Sequence, residues 1–532
     1  MTRPATGETS MTGATPARTP GMRPKEGLFY GSVVAVVGLF LALSLPNLGA
    51  LAFWNDEATT AVLAQSILRT GLPVCTLGRN DLCPNPADRN RFGVEANHGW
   101  LPHYLCALSF RAFGTSEWAG RFPFVLCGAA TVLVAALLGR LLYGPLCGVL
   151  AGLLLAVQPT FIQYCRQCRY FSTAMLVFLL CVGAYHLVRV RRIHWFWLCA
   201  GFLLLYHSFQ LYCAVLMATV FGIELAIRAL RRDPRPNDDR FPLVRVACGS
   251  IALIGPWAVF FSVGRGATHA TAGFDPAAVA AHLRTVFGTG FSFFPFLLPI
   301  GLVPLYPKRA SCLPVLVGAL SGLALSLVPE AVFTHTGGAL LPRYYLFLLP
   351  VGALIAARAF ALARFRATWL LVALAGALAI VPGAGAPIRA GVHDARAAWR
   401  RLVRIETFYR HPPSPDPERR DLAFVADLAR PVPEVVVTGH YYYQTVFALG
   451  PGIAVLDPPE LVRAPHGGLT ISEPDARARL PLVRAPSDCR VHRCEGCGMQ
   501  GLNTPERGVP TPPYDFSRLV LEVWDCPPPG SP

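Results

Sequence analysis

Residues 28–58 read LFYGSVVAVVGLFLALSLPNLGALAFWNDEA. From Leu28 to Leu48 this stretch carries no charge, and a run of roughly 20 apolar residues is what a helix needs to cross a hydrocarbon layer about 30 Å thick. Two carboxylates, Asp56 and Glu57, follow shortly after the run ends. Acids this near lipid are costly unless they are hydrated, paired or used in chemistry. The run fixes the fold class, and the acids mark where function is to be sought.

Comparable runs recur outward from this one, near 28–48, 117–142, 145–163, 170–188, 195–209, 211–230, 244–263, 287–305, 311–329, 344–362 and 367–383, which predicts about eleven spans. The 532 residues are 53% apolar and only 15% charged, with a mean hydropathy of +0.44, which excludes an ordinary soluble enzyme. The chain reads as an α-helical polytopic membrane protein with three parts. Residues 1–27 form a polar cytoplasmic tail, 28–383 the transmembrane domain, and 384–532, rich in Pro, Arg and Asp, a small water-exposed α/β domain. In that last part Glu434 to Thr438 and Leu519 to Trp524 read as strands and Asp394 to Arg404 as a helix. Ala50-Leu51-Ala52 resembles a signal-peptide cleavage site, but the preceding run exceeds the usual h-region of about 7–15 residues, so an uncleaved anchor is expected.

The formal charge of +16 reflects arginines in short loops. With the N-terminus in the cytoplasm, Arg140, the group Arg189, Arg191 and Arg192, the run Arg228 to Arg235, Lys308 and Arg309, and Arg358 to Arg366 all fall inside, as the positive-inside rule requires. No nucleic-acid recognition motif accompanies the charge, so no such partner is expected. This topology sends loop 49–116, the 163–169 connection, loop 264–286, the stretch Glu330 to Arg343 and the terminal domain to the outer face. Glu224 lies inside a span with Arg228 one helical turn on, and the two read as a structural pair.

On the outer face, Trp54-Asn55-Asp56-Glu57-Ala58 leads into a stretch with apolar residues at helical spacing (Val62, Leu63, Ile67). The acids therefore open a short interfacial helix, where the helix dipole favours negative charge. Asp56 could serve either as a cap or as a chemical group. Six cysteines also lie outside: Cys75 and Cys83 in the loop, and Cys489, Cys494, Cys497 and Cys526 in the terminal domain. An oxidising compartment favours disulfides among them. Cys494-Glu495-Gly496-Cys497 could instead seed a zinc ribbon, but a matching second CxxC is absent. The other cysteines, Cys106 and Cys168 among them, lie in or beside spans and read as small apolar fillers.

Four stretches in order along the chain carry a family resemblance. They are Asp56-Glu57-Ala58 with Ile67 to Pro73; His98-Gly99-Trp100-Leu101-Pro102-His103-Tyr104-Leu105 with Phe113-Gly114 and Glu117 to Pro123; Gln163-Tyr164-Cys165-Arg166-Gln167-Cys168-Arg169-Tyr170; and Pro342-Arg343-Tyr344-Tyr345 with Leu349-Pro350. Together they resemble the GT-C superfamily of membrane glycosyltransferases, in particular its protein O-mannosyltransferase and aminoarabinose-transferase branch. The resemblance implies transfer of a sugar from a polyprenyl-phosphate donor to a lipid, glycan or protein acceptor at the outer face of a bacterial inner membrane. It implies that Asp56 is the base toward the acceptor, with Glu57 as the alternative.

Such a transfer needs cations for the departing phosphate. Arg166 and Arg169, three apart, would share one helical face and present planar forks to it, with Arg343 as a third. Glu95, His98 and His103 sit before the second span and His335 before Arg343; a carboxylate with histidines can hold a divalent metal. In the aminoarabinose branch a glutamate of this loop ligates metal, but the lysine usual beside it is Ala96 here. A glycan polymerase or ligase would use the same outer-face groups. A lipid or glycan transporter would instead show charges near span centres and a repeat between halves.

Overall fold

The computed structural model describes residues 24–83, 88–230, 241–263, 309–326, 342–362, 400, 404, 417–429, 434–437, 442–450, 454–456, 468–472, 490–495 and 520–526. The predicted spans at 287–305 and 367–383, and nearly all of the predicted helix at 394–404, lie outside the described residues.

Among the described residues five helices are long and apolar enough to cross a membrane: α1 (Pro24–Ser44), α4 (Glu117–Tyr143), α7 (Phe171–Arg189), α9 (Gln210–Leu230) and α10 (Leu243–Ser262). The predicted span at 145–163 is instead a broken pair, α5 (Pro145–Ala156) and α6 (Pro159–Cys165), bent by 67°. The break follows from Pro159, whose ring pushes the preceding Gln158 into extended backbone (ψ 116°). Further apolar helices are α8 (Phe196–Ser208), α11 (Arg309–Ser326) and α12 (Leu348–Leu362).

The helices pack around one apolar core that includes Phe40, Phe161, Phe178, Phe202 and Tyr212. Crossings are close where glycines meet backbone. A Cβ on Gly148 of α5 would come within 2.4 Å of the Ala136 carbonyl of α4, the small-residue contact that lets membrane helices approach. Val244, Ile251 and Val259 of α10 point outward in a stripe, as a lipid-facing surface requires. Glu224 is held by the Tyr185 hydroxyl, which donates at 2.5 Å, and by Arg189. Arg228 instead donates to the Phe241 carbonyl, so the expected Glu224–Arg228 pair is replaced by a partner from a neighbouring helix.

Between α1 and α4 the chain builds two short helices, α2 (Asn55–Thr70) and α3 (Leu101–Phe113), and a small hairpin, β1 (Thr76–Leu77) with β2 (Asn80–Asp81). α2 ends where Gly71 adopts φ 81° and its N–H closes on the Ile67 carbonyl at 2.8 Å, a left-handed cap that glycine adopts without strain. Cys75 and Cys83 are bridged across the hairpin.

C-terminal to residue 416 come α13 (Pro417–Ala429), α14 (Tyr442–Leu449) and a mixed five-stranded sheet in the order β4-β3-β5-β7-β6. Its strands are β3 (Glu434–Val437), β4 (Ala454–Leu456), β5 (Gly468–Ser472), β6 (Arg490–Glu495) and β7 (Val520–Cys526), with β3 parallel to β4 and β5, and β7 antiparallel to β5 and β6. The register sets Cys494 opposite Leu521 and Cys526 opposite Gly468. Cys489 and Cys497 lie outside the described residues.

α14 rests on α2. Gln444 donates from Nε2 to the Phe53 carbonyl at 2.7 Å, and the Phe447 ring meets Phe53 edge to face at 4.9 Å. Arg419 of α13 pairs with Glu117 at 3.0 Å.

Candidate active site

The first turn of α2 sets two adjacent carboxylates in opposite surroundings. Glu57, at the third helical position, is fully buried. Its Oε1 accepts from Arg121 Nε at 2.8 Å and from the Cys168 N–H at 2.7 Å. Its Oε2 accepts from Arg121 Nη2 at 2.6 Å and from the Trp54 N–H at 3.4 Å. Arg121, one turn into α4, spends its remaining donors on the carbonyls of Leu48, Leu51 and Ala52 at 2.7–3.0 Å. All five guanidinium N–H groups and four acceptor positions of the carboxylate are thus used. Glu57 is therefore corrected from candidate base to structural ion pair, because no lone pair is left for an acceptor proton. The helix-start bond to Trp54 N–H also comes from Glu57, so Asp56 is not spent on capping.

Asp56 faces the other way. Its carboxylate is part-exposed, with Oδ2 3.8 Å from Arg169 Nη2 and 3.6 Å from Arg343 Nη1. These are ion pairs without direct hydrogen bonds. Arg169 comes from the irregular turn between α6 and α7, and Arg343 from a single 3-10 turn, Pro342–Tyr345. Arg169 donates to the Asp56 backbone carbonyl at 3.1 Å and to His98 Nε2 at 3.1 Å. Its Nε has no partner among the described residues.

Arg166 does not join them. α6 ends at Cys165, so the three-residue spacing no longer puts Arg166 and Arg169 on one helical face. Arg166 turns instead to the carbonyls of Ser44, Pro46 (2.9 Å) and Asn47 (3.4 Å) at the end of α1. It satisfies the orphan acceptors of that helix end. The expected phosphate role of Arg166 is thus replaced by a structural one.

His98 is gripped on both ring nitrogens. Nδ1 meets Glu95 Oε1 at 3.0 Å, and Glu95 Oε1 also accepts the backbone N–H of Asn97 and His98 at 3.1 and 2.7 Å. With Nε2 accepting from Arg169, the proton sits on Nδ1. Gly99 makes this position possible, since a Cβ there would lie 2.1 Å from the His207 carbonyl oxygen of α8.

The His98 nitrogen that a divalent ion would bind is occupied by a guanidinium, and the described residues contain no group of three metal-ligating side chains. His335 lies outside the described residues. His103, on α3, is buried, and desolvation drives its pKa down to about 3, against the pull of Glu95 and with the help of His98 and Arg169. It stays neutral at any ordinary pH.

Reading the sequence assigned no role to several residues that build the site. Arg121 stood within a quoted motif, and only its charge inside an apolar run marked it. Trp54 donates from its indole to Gln167. Tyr170, Phe209 and Tyr344 form a three-ring stack, with centroids 4.4 and 6.1 Å apart and planes within 11°. That stack lies beside the backbones of Arg169 and Arg343, and no spacing rule reveals it.

Residues 97–260 match the family model of dolichyl-phosphate-mannose-protein mannosyltransferases. Among solved structures, the chain is similar to ArnT from Cupriavidus metallidurans bound to undecaprenyl phosphate, at 16% identity and a TM-score of 0.55, over 92% of this chain and 98% of that one. It is similar to the apo state of that protein at 15% identity and 0.54, over 93% and 98%. It is also similar to the apo oligosaccharyltransferase of Archaeoglobus fulgidus at 12% identity and 0.50, over 85% and 70%. No curated protein sequence matches the chain. At such identities the structural likeness is one of fold. The matched segment covers the α3–α10 region, and the fold is similar to that of ArnT along nearly the whole chain.

Proposed function

We propose that the chain transfers a sugar from a polyprenyl-phosphate donor to a lipid, glycan or protein acceptor at the outer face of a bacterial inner membrane, with Asp56 as the base. The observation that carries this reading is the convergence of Arg169 and Arg343, from distant parts of the chain, on one part-exposed carboxylate. The ArnT structure to which the chain is similar holds undecaprenyl phosphate, a lipid whose head group suits two arginine forks.

In the proposed reaction the acceptor hydroxyl or amine hydrogen-bonds to Asp56 and gives up its proton as it attacks the anomeric carbon. The bond from that carbon to the phosphate oxygen breaks, and the electron pair leaves with the phosphate. Arg169 and Arg343 stabilise the developing charge. Glu95 orients His98, and His98 steadies Arg169. The packing of α14 on α2 supports a terminal segment on the same side as loop 49–116.

The test is single-turnover transfer by the purified full-length chain in lipid nanodiscs. Polyprenyl-phosphate sugars are expected to be consumed with release of the lipid phosphate, and nucleotide sugars to be left intact. Consumption of a nucleotide sugar, or no turnover with any lipid-linked donor, would overturn the reading.

A further inference from the structure

Cys106, on the inner face of α3, and Cys168, in the turn before Arg169, lie 62 residues apart in sequence, with their sulfurs 3.6 Å apart. Both are fully buried among Phe53, Ala61, Phe110 and Phe124. A bonded pair needs about 2.05 Å between sulfurs, so the two sulfurs stand in contact but unbonded. Cysteines that merely fill space have no reason to face each other across two elements. The Cys75–Cys83 bridge lies in the same loop region.

We propose that Cys106 and Cys168 form a second disulfide, which ties α3 to the Arg169-bearing turn and so fixes one of the two arginines beside Asp56. This rests on the outer-face reading above, because only an oxidising compartment sustains such a bridge. Balance requires an oxidant, and a disulfide-donating oxidoreductase of that compartment serves. One cysteine thiolate attacks the donor disulfide to give a mixed disulfide. The second thiolate then displaces the donor as a dithiolate, which takes up the two protons that the cysteine thiols gave up.

The consequence lies with Cys168. Its N–H donates to Glu57 and its neighbour is Arg169, so a bridge here holds both acid–arginine groups in register. Burial pushes the Cys168 thiol well up, and the folded pair exchanges slowly. The bridge therefore closes before α3 docks.

The test uses the full-length chain, purified from its membrane without reductant, denatured, and alkylated before and after reduction. The Cys106 and Cys168 peptides are expected to be linked and to resist alkylation until reduced, as the Cys75 and Cys83 peptides do. If Cys75 and Cys83 are linked while Cys106 and Cys168 alkylate at once, the bridge proposal fails alone. If all four alkylate at once, the bridge and the outer-face reading fail together.

Discussion

Asp56 and Glu57 are neighbours on one helical turn, and each meets arginine, yet they are built for different ends. Glu57 is buried with every oxygen lone pair and every Arg121 donor engaged at 2.6–3.4 Å. Asp56 stands 3.6–3.8 Å from its two arginines and keeps part of its surface open. A saturated ion pair has nothing left to offer a substrate, and removing one partner strands the other in low dielectric. A loose pair in a cleft exposes charge that a ligand can take over. The difference teaches that, of two acids this close in sequence, geometry rather than residue type decides which one can do chemistry.

The comparison breaks most visibly at Glu57. Glu57→Gln leaves the Arg121 guanidinium without its counter-charge, and the loss of stability is expected to be about 3–5 kcal/mol. Thermal denaturation in detergent measures it, with a fall in folded yield. A variant with wild-type stability would mean that the pair is not the structural knot it looks like. Asp56→Asn is the mirror experiment. Folding and donor binding are expected to survive, while single-turnover transfer falls about 100-fold or more, the scale of general-base losses. Near-normal transfer would remove Asp56 from the reaction.

The arginines sharpen the contrast at smaller magnitude. Arg169→Lys and Arg343→Lys keep charge but lose the planar fork, so donor affinity is expected to weaken about tenfold, or ~1.4 kcal/mol. Arg166→Lys is expected to leave donor affinity unchanged and lower stability alone. Titration with a fluorescent polyprenyl phosphate separates the two, and a donor-binding loss in Arg166→Lys would return that residue to the site.

A further effect is one of pH. The folded His103 ring takes no proton until about pH 3, whereas the unfolded ring takes one below 6.5. Stability should therefore fall as pH drops through 6.5, by up to about 1.4 kcal/mol per unit. His103→Leu should flatten the slope in a denaturation series between pH 7.5 and 5.

Much of this is legible in the sequence. The uncharged run from Leu28 to Leu48 predicts α1, and the spacing after Asp56 predicts α2, because burial of one face and the thickness of a bilayer leave a periodic trace. The pairing of each arginine left no such trace. Arg166 and Arg169 look alike in sequence, and only the end of α6 at Cys165 sends one to the Ser44–Asn47 carbonyls and the other to Asp56. Glu57 could not be told from Asp56 either, since its partner Arg121 lies 64 residues away. Local patterns record backbone shape, while which charged groups meet is settled by contacts between distant elements.

The hydrogen bond from Gln444 to the Phe53 carbonyl also sets a clock. Its partners are 391 residues apart, and at about 5–20 residues per second of synthesis the donor emerges roughly 20–80 s after the acceptor. The stretch leading into α2 must therefore wait, with the Phe53 ring uncovered, while the rest of the chain is made and inserted. A ribosome that stalls late leaves behind a protein with nearly all its membrane helices but an unfinished roof over its first loop.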